Sequence, residues 1–476
     1  MRPRRRADVL TAAIVVAVLA SGAGFLLLDR GSGGGGDTTS SPSVSGSPSP
    51  SSRTLPTVHG RPNIVLILAD DQRWDTLDAM PEVRSKFVDL GVTFTNSFVV
   101  NPECCPSRAS ILTGQYSHTT GVYKNEPPNG GFRSFRDADT IATRLHGARY
   151  STALIGKYLN GYAKAGYVPP GWDRWVAFTT SGQGAGDGDY YDYDLSVDGR
   201  AVSHGRRPKD YSTDVLADDA VSFVQGADPT RPLFLYFAPK APHEPPVPAP
   251  RHEIAFSDLP PWRPPSYNEA DVSDKPGYVR GRPPLGPVRR AGLDTLRIAQ
   301  YRTLLAVDQA VGRIVDALDG AGRLTNTLLV YASDNGFLWG EHRLLRKLVP
   351  YEESIRVPLV IRYDAKIPLT RTDDHLVLNT DWAPTFAEAA GVRLSNPEGA
   401  SLLPLLSAVS SAGLRWRGDF LVEHLQSWDA VPSYCAVRGE SWFTSATPRG
   451  RRSTTTWCTT PPSSRTWPPI RPTLRP

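Results

Sequence analysis

Cysteine is scarce in this chain: four cysteines occur in 476 residues. Two of them, Cys104 and Cys105, are adjacent, and neighbours in sequence rarely form a disulfide because of the geometry of that bond. The sequence therefore excludes a disulfide framework as the basis of the fold. A strong excess of charge is also absent, because the net charge is +5 and much of it lies at the two ends of the chain. The body contains no basic stripe with interleaved aromatic residues, so we predict no nucleic-acid partner.

The start of the chain differs in composition from its body. Residues 1–30 begin with four arginines and continue with an uncharged apolar run from Val9 to Leu28, which is about as long as a membrane-spanning helix. This layout is typical of a signal peptide or of an uncleaved signal anchor with the rest of the chain outside the cytoplasm, and the length of the run favours the anchor. Residues 31–58 are rich in Gly, Ser, Thr and Pro, which predicts a disordered linker.

Two short apolar runs end in polar residues. Residues 63–68 and 327–332 are each typical of a strand that is buried on both faces of a parallel sheet. The residues that follow the two runs are acids and one amide: Asp70, Asp71, Asp334 and Asn335. Each pair alone is also ordinary turn chemistry. Because open α/β sheets place their sites at the carboxyl ends of strands, we expect the two pairs to meet. Their oxygen donors suit calcium or magnesium and argue against zinc.

The cysteine pair lies in a motif of its own. Residues 101–114 read N-P-E-C-C-P-S-R-A-S-I-L-T-G. The run from Ser107 to Leu112 predicts a helix that stops at Gly114. Cys104 is expected at or before the helix N-terminus, where the partial positive charge favours a bound anion.

This segment resembles the sulfatase family, in which an enzyme oxidises the first cysteine of C-x-P-S-R to formylglycine. The resemblance continues through residues 340–347, 351–359 and 380–385, and it covers most of residues 60–440. Together with G-K-Y-L-N and A-P-H-x-P, the motif looks most like the N-acetylglucosamine-6-sulfatase branch. The resemblance implies an α/β fold, with an alkaline-phosphatase/sulfatase-like mixed sheet flanked by helices. It implies a catalytic domain over residues 59–365 and a smaller C-terminal α+β subdomain over residues 366–441.

The resemblance also implies a set of site residues. The implied metal ligands, for Ca²⁺ or alternatively Mg²⁺, are Asp70, Asp71, Cys104 as formylglycine, Asp334 and Asn335. The implied catalytic residues are Cys104, Arg108, Lys157, His243 and Lys347. Arg108 is expected to hold the formylglycine hydrate and the sulfate, and the two lysines to contact sulfate and leaving-group oxygens. His243 is expected to be the general acid, a role that a near-neutral pKa suits. Asp334 is expected to accept the proton of the attacking hydroxyl.

One position departs from the family's pattern. Many sulfatases carry a histidine two residues after the lysine that corresponds to Lys157, where it helps the sulfated intermediate to collapse. Here that position is Leu159, followed by Asn160. The base for this step is therefore not identified.

Other motifs are interpreted as structural. His118 and His342 lie in recognisable motifs, but we read both as supporting residues that do not touch substrate. The alternation before Asp198 and Gly199 predicts a β-hairpin in place of a second calcium loop. The proline-rich stretch from Pro245 to Pro287 is expected to be a long surface loop near the mouth of the pocket.

The end of the chain changes composition abruptly. Residues 442–476 are dominated by Thr, Ser, Pro and Arg, which predicts a disordered tail. Back-translated with GC-rich codons and read one frame over, the tail can give a string that resembles the closing hairpin of sulfatases. We therefore predict a frameshift near Trp442 that truncates the C-terminal subdomain, with a native disordered extension as the alternative. Strands are expected at residues 419–423 and 434–438, where Leu421 and Val437 would lose cross-strand partners.

The expected function is the hydrolysis of sulfate esters by an exported enzyme, membrane-anchored or secreted. The implied substrate is a sulfated carbohydrate such as N-acetylglucosamine 6-sulfate, as in glycosaminoglycan degradation, and a formylglycine-generating enzyme is the implied partner. One alternative is a phosphomonoester or phosphonate hydrolase of the same superfamily. Another is a sulfated-glycan-binding protein without catalysis.

Overall fold

A computed structural model describes residues 54–163, 165–179, 189–426, 430–440 and 443–446. The predicted signal or anchor, most of the linker, and the tail beyond residue 446 lie outside the described residues. Within the described part, no helix has the length and apolar character needed to cross a membrane.

A large mixed sheet forms the centre of the fold. The strands are β1 (Asn63–Ala69), β2 (Val92–Phe94), β3 (Ser97–Phe98), β4 (Ser151–Gly156), β5 (Arg174–Phe178), β6 (Tyr193–Val197), β7 (Arg200–His204), β8 (Leu233–Ala238), β9 (Thr327–Ser333), β10 (Leu338–Trp339), β11 (Leu345–Arg346), β12 (Leu359–Arg362), β13 (Arg371–Asp373), β14 (Val377–Leu378), β15 (Asp419–His424), β16 (Tyr434–Gly439) and β17 (Phe443–Ala446). Ten of them form one sheet in the order β13-β2-β12-β9-β1-β8-β4-β5-β6-β7. The neighbouring strands β9, β1, β8, β4 and β5 are parallel, so their carboxyl ends meet at one edge.

Helices cover both faces of this sheet. They are α1 (Pro81–Lys86), α2 (Cys104–Thr113), α3 (Ser117–Thr120), α4 (Ile141–Gly147), α5 (Ser212–Gly226), α6 (Gly277–Arg280), α7 (Pro287–Gly320), α8 (Glu352–Ile355), α9 (Trp382–Ala390) and α10 (Leu403–Ser407). Side chains alternate along β1: Ile64 and Leu66 pack in the core with α2, α4 and α9, whereas Val65 and Ile67 pack in the core with α5 and α7. This burial on both faces explains the continuous apolar run, and it confirms the predicted α/β architecture.

The register of the central strands brings the two acidic pairs together. Strand β1 pairs with β9 from Asn63 opposite Thr327 to Ala69 opposite Ser333. Asp70 and Asp334 therefore leave the sheet side by side, as the strand ends predicted.

The predicted hairpin is also confirmed. Strands β6 and β7 are antiparallel and are joined at Asp198 and Gly199, whose φ angles are 50° and 84°. Two successive left-handed residues are the requirement of a type I′ turn, which explains why Asp-Gly occupies this position.

The C-terminal region adds a small antiparallel sheet of β15, β16 and β17. The strands predicted at 419–423 and 434–438 are confirmed, but the loss of partners is wrong, because Leu421 lies opposite Val437. Strand β17, at residues 443–446, pairs with β16 inside the segment predicted to be a disordered tail. Strand β13 joins the main sheet, so the boundary predicted at residue 365 does not separate the main sheet from the region that follows.

Candidate active site

Asp70 and Asp71 occupy the end of β1 and are buried, at 0% and 3% exposure. Asp71 has a φ of 70°, which few residues other than glycine adopt. The backbone N–H of Asp70 donates to the carbonyl oxygen of Ala241 at 3.2 Å. The N–H of Asp71 donates to Asp334 Oδ1 at 3.2 Å. The turn that presents the two carboxylates is therefore tied to the segments that follow β8 and β9.

Asp334 and Asn335 complete the acidic cluster from β9. The N–H of Asp334 donates to the carbonyl oxygen of Ala69 at 3.1 Å, and Asn335 Nδ2 donates to Asp71 Oδ1 at 2.6 Å. Both side chains are fully buried. The structure thus brings together all four polar residues that the sequence placed at strand ends.

Cys104 is the first residue of α2, and every residue of this helix is buried. Its Sγ lies 3.4 Å from Asp70 Oδ1 and 3.9 Å from Asp71 Oδ1. Burial, together with the negative charge of Asp70, raises the pKa of the Cys104 thiol well above its usual range. An unmodified thiol here stays protonated at neutral pH and is a poor nucleophile.

Arg108 lies one helical turn after Cys104. Its Nε donates to Asp334 Oδ2 at 2.7 Å, and one terminal nitrogen donates to the carbonyl oxygen of Lys157 at 2.7 Å. The other terminal nitrogen is buried and lies 3.9 Å from Asp70 Oδ2, and it makes no hydrogen bond to any residue in the described part of the chain. A buried donor without a partner is unusual, and a guanidinium N–H is well suited to an anion.

Lys157 and Lys347 bring two more cations to the carboxylates. Lys157, which follows β4, donates to Asp70 Oδ2 at 2.5 Å. Lys347, which follows β11, contacts Asp71 Oδ1, Cys104 Sγ at 2.7 Å and Asn335 Oδ1 at 3.3 Å. Three of the predicted metal ligands therefore converge on one positive charge.

These contacts set the charges of the acids. Burial tends to raise the pKa of Asp70, but Lys157, His243 and Arg108 together hold it well below its usual range. Burial and the cation of Lys347 oppose each other in the same way at Asp71, and the net pKa is lowered. Both carboxylates are therefore ionised at neutral pH.

His243 lies beside the acidic cluster, with Nε2 3.7 Å from Asp71 Oδ2. Its Nδ1 lies 2.6 Å from the carbonyl oxygen of Glu244. Because a carbonyl oxygen only accepts, Nδ1 carries the hydrogen in the neutral ring and Nε2 is then an acceptor. Burial and the charge of Lys240 lower the pKa of His243 to about 3, in place of the expected near-neutral value. The ring is neutral before an anion binds.

Sequence reasoning missed Lys240, which lies two residues after the end of β8. Its side chain is 2% exposed, and its Nζ lies 3.6 Å from Asp189 Oδ2. Its charge lowers the pKa of both Asp70 and His243, which places it in the same electrostatic cluster. A lysine directly after a predicted strand is the signal that identified Lys157, and it could have identified Lys240.

Sequence reasoning also missed the support of the hairpin that leads to Lys347. Glu341 lies between β10 and β11 and is fully buried. Its Oε1 accepts from Arg73 at 2.8 Å and from Trp262 Nε1 at 2.7 Å, and its Oε2 accepts from the N–H of Trp339 at 2.7 Å. Trp262 belongs to the proline-rich stretch, so that loop packs beside the hairpin.

The two remaining motif histidines bind acids. His118 lies 3.1 Å from Glu398 and 3.0 Å from Glu423, and His342 lies 3.0 Å from Glu269. These ion pairs join separate segments of the chain. They are consistent with the structural interpretation of both histidines.

The position of the missing histidine is apolar in its surroundings. Leu159 is fully buried in the core on the α2 side of the sheet. A leucine side chain cannot accept or donate a proton. The structure therefore agrees with the sequence that the family's histidine has no equivalent at this position.

The comparison with known families agrees with this site. The profile of the family described as Sulfatase matches residues 62–392. The chain belongs to the sulfatase family. This match includes all the predicted metal ligands and catalytic residues of the chain.

Two relatives and one solved structure are similar to this sulfatase-family chain. A Drosophila melanogaster protein named extracellular sulfatase SULF-1 homolog is 34% identical over 374 residues, which are 76% of this chain and 33% of the relative. The N-acetylglucosamine-6-sulfatase of Capra hircus is 35% identical over 381 residues, which are 76% of this chain and 66% of the relative. The chain thus spans a third of the first relative and about two thirds of the second.

The solved structure is of a protein in complex with its substrate D-glucosamine-2-N,6-O-disulfate. It matches with a TM-score of 0.69 and 28% identity, over 81% of this chain and 88% of the other. The expected sulfatase-like fold is thereby confirmed.

Proposed function

We propose that this protein hydrolyses sulfate esters at the site around Cys104. The observation that supports this most directly is the meeting of Cys104 with three carboxylates and the cations Arg108, Lys157 and Lys347, all buried at one edge of the sheet. Sulfate transfer develops negative charge on oxygen, and fixed cations in a water-poor pocket stabilise such charge.

A divalent cation fits the oxygen donors of this site. The residues that would hold it are Asp70, Asp71, Asp334 and Asn335, with an oxygen at position 104 in place of the sulfur. The convergence of Asp71, Asn335 and Cys104 on the Lys347 ammonium supports a preference of these atoms for a positive charge. When bound, the ion withdraws charge from the sulfate oxygens. Calcium is our first choice and magnesium our second.

The high pKa of the Cys104 thiol makes the unmodified residue a poor nucleophile, which supports an oxidised form of residue 104, made by a formylglycine-generating enzyme, as the reacting group. As a hydrated aldehyde, residue 104 would offer one oxygen that attacks sulfur and a second whose deprotonation expels sulfate. In the structure the Cys104 sulfur stands where these oxygens would be.

The surrounding side chains would bind and orient the ester. The terminal nitrogen of Arg108 that makes no hydrogen bond is a donor for a sulfate oxygen, and Lys157 and Lys347 supply positive charge beside position 104. Asp334 is available as a proton acceptor, although its Oδ2 also accepts from Arg108. These groups are buried, so few waters compete with them.

His243 would protonate the departing alcohol through Nε2. Because Nδ1 faces a carbonyl oxygen, Nε2 carries a hydrogen only in the imidazolium form. A bound sulfate ester brings negative charge next to the ring, and a nearby negative charge favours that form. We therefore expect His243 to become a proton donor only after substrate binds.

We propose a 6-sulfated amino sugar as substrate. Support comes from the goat relative, named N-acetylglucosamine-6-sulfatase, and from the neighbour that binds D-glucosamine-2-N,6-O-disulfate. We also propose that the protein acts outside the cytoplasm, since its arginine-rich start precedes an apolar run and the Drosophila relative is named extracellular. Fractionation of cells would distinguish an anchored form from a secreted one.

A pair of cysteine variants tests the chemistry. Cys104→Ala should abolish release of sulfate from aryl sulfates and from N-acetylglucosamine 6-sulfate. Cys105→Ala is the matched control, because this neighbour is equally buried but belongs to the hydrophobic core on the α2 side of the sheet, and its backbone N–H donates to Asn125 Oδ1 at 2.8 Å. Mass spectrometry of the peptide that contains Cys104 should detect formylglycine. An active enzyme with an unmodified thiol would overturn the mechanism.

The same assays separate the two alternatives. Faster turnover of an aryl phosphate or phosphonate than of the matched aryl sulfate would favour a phosphoester or phosphonate hydrolase. Calcium-dependent binding of a sulfated sugar without release of sulfate, in protein shown to contain formylglycine, would favour a binding protein.

A further inference from the structure

Lys240 differs from the other cations of the site in its bonding. Lys157, Lys347 and Arg108 each donate to a carboxylate within hydrogen-bond distance. Within the part of the chain that the structure describes, Asp189 at 3.6 Å is the only carboxylate within 4.0 Å of Lys240 Nζ, and that distance is longer than a hydrogen bond. With respect to the described residues, the donors of this ammonium are therefore available to a ligand.

The position of Lys240 makes such a ligand a neighbour of the scissile ester. Lys240 shares a turn with His243, whose N–H donates to the carbonyl oxygen of Lys240 at 3.0 Å. The ammonium is buried and acts electrostatically on Asp70 and His243. A buried lysine held without a hydrogen bond is costly, which argues for a functional reason to keep it.

The surroundings of Lys240 favour an anionic ligand. Burial and the nearby positive charge of Lys157 lower the pKa of Lys240, so the ammonium form is held at a cost. An anion bound beside Lys240 would offset both its burial and its repulsion by Lys157.

We propose that Lys240 binds a second anionic group of the substrate, so that the site prefers sulfated sugars that carry a further sulfate or carboxylate beside the scissile ester. This inference rests on the proposed function and adds to it the class of substrate. Lys240 is then a residue that determines specificity, distinct from the groups around position 104.

Equilibrium binding tests the inference without catalysis. In a Cys104→Ala background with calcium present, three ligands are compared: N-acetylglucosamine 6-sulfate, glucosamine 2-N,6-O-disulfate, and a disaccharide that joins a uronic acid to N-acetylglucosamine 6-sulfate. Lys240→Met should weaken the binding of one or both ligands with a second anion by roughly 10- to 100-fold, the loss expected for one charge-assisted hydrogen bond. Binding of the monosulfate should change far less. The second and third ligands distinguish a sulfate from a carboxylate.

Two further variants control the experiment. Lys366→Met removes an exposed lysine outside the pocket and should leave all three affinities unchanged. Lys240→Arg keeps the charge and should retain the preference for a second anion. This variant keeps the inference testable if Lys240→Met does not fold. The inference would be overturned if Lys240→Met weakened the binding of all three ligands equally. It would also be overturned if neither the parent nor Lys240→Arg bound the ligands with a second anion more tightly than the monosulfate. Absence of sulfate release by the formylglycine-containing parent would instead refute the proposed function, with the binding preference still measurable.

Discussion

The Glu341 carboxylate provides a test of how the fold holds Lys347 in place. Glu341 accepts hydrogen bonds from Arg73, Trp262 Nε1 and the N–H of Trp339. Arg73 has other partners, since it also donates to Asp75 at 2.9 and 2.7 Å and to a carbonyl oxygen. Removal of the carboxylate would therefore leave mainly two donors without an acceptor, the Trp262 indole N–H and the Trp339 backbone N–H.

The magnitude follows from those two donors. A buried donor without a partner costs about 1–3 kcal/mol, so Glu341→Ala should lower the free energy of unfolding by about 2–6 kcal/mol. That is a large part of a total that is typically about 5–15 kcal/mol. Glu341→Gln keeps one acceptor oxygen and should lose about half as much. Turnover should fall in both variants, because the hairpin of β10 and β11 is the segment that delivers Lys347.

Urea unfolding and sulfate release measure the two effects. The midpoint of unfolding should shift without a change of slope, as expected when only stability changes. Glu388→Gln, at an exposed glutamate on α9, is the matched control and should leave both quantities unchanged. If Glu341→Gln lost stability but kept full turnover, Glu341 would support the fold without positioning Lys347. If it lost neither, the energetic reasoning would be wrong.

Three further predictions concern pH, metal and the small sheet. Asp308 accepts from the N–H groups of Glu82 and Val83 at 3.0 and 2.8 Å, and burial raises its pKa to about 6. The pKa of Asp308 is higher in the folded state than the value of about 3.9 in the unfolded state. The protonated carboxyl therefore makes its full contribution to stability below about pH 3.9, and this contribution is lost as the pH rises through about 6. The Tm of the parent relative to Asp308→Asn should therefore fall between about pH 4 and pH 7, and a constant difference would contradict this assignment. Calcium at a hundredfold excess over its Kd should stabilise the parent by about 2.7 kcal/mol and so raise its Tm. The Tm of Asp334→Asn should rise much less. An equal rise in both proteins would place the ion elsewhere. Phe420→Ala should cost about 3–5 kcal/mol, because Phe420 is 3% exposed and packs on Phe98 with ring centroids 5.1 Å apart, and unchanged thermal unfolding would show that the small sheet contributes little to the stability of the domain.

The strand ends were the most predictable part of the site. A run of apolar residues followed by Asp70 and Asp71 and a second run followed by Asp334 and Asn335 predict adjacent parallel strands. Strand β1 does pair with β9 in parallel along its whole length. The prediction works because a strand buried on both faces has a distinctive composition, and because parallel strands end at a common edge.

The supports of the site could not be predicted in the same way. Glu341 and Arg73 are 268 positions apart in the chain, and neither hydrophobic period nor turn chemistry pairs them. Lys240 carries a recognisable signal, but the same signal occurs at solvated lysines, and only its burial separates the two cases. The low pKa of His243 likewise depends on burial and on Lys240. Such effects arise from long-range packing, which local sequence does not encode.

The frameshift remains a prediction, because the residues after 446 are outside the described part. Restoring the alternative frame after Trp442 should raise soluble yield and Tm. The partner loss that we expected for Leu421 and Val437 does not enter this argument, since these two residues face each other across β15 and β16.

Under the proposed chemistry, the complete burial of α2 determines whether oxidation of Cys104 or folding comes first. Cys104 is 0% exposed, and the helix that follows it is enclosed along its whole length. Another enzyme cannot seat its own active site on a sulfur atom inside a folded core. Under the proposed chemistry, oxidation must therefore precede folding, and a chain that folds first keeps an inert thiol. The fraction of active molecules then depends on the rate of Cys104 oxidation relative to the rate of folding. Slower folding or more of the modifying enzyme would increase this fraction.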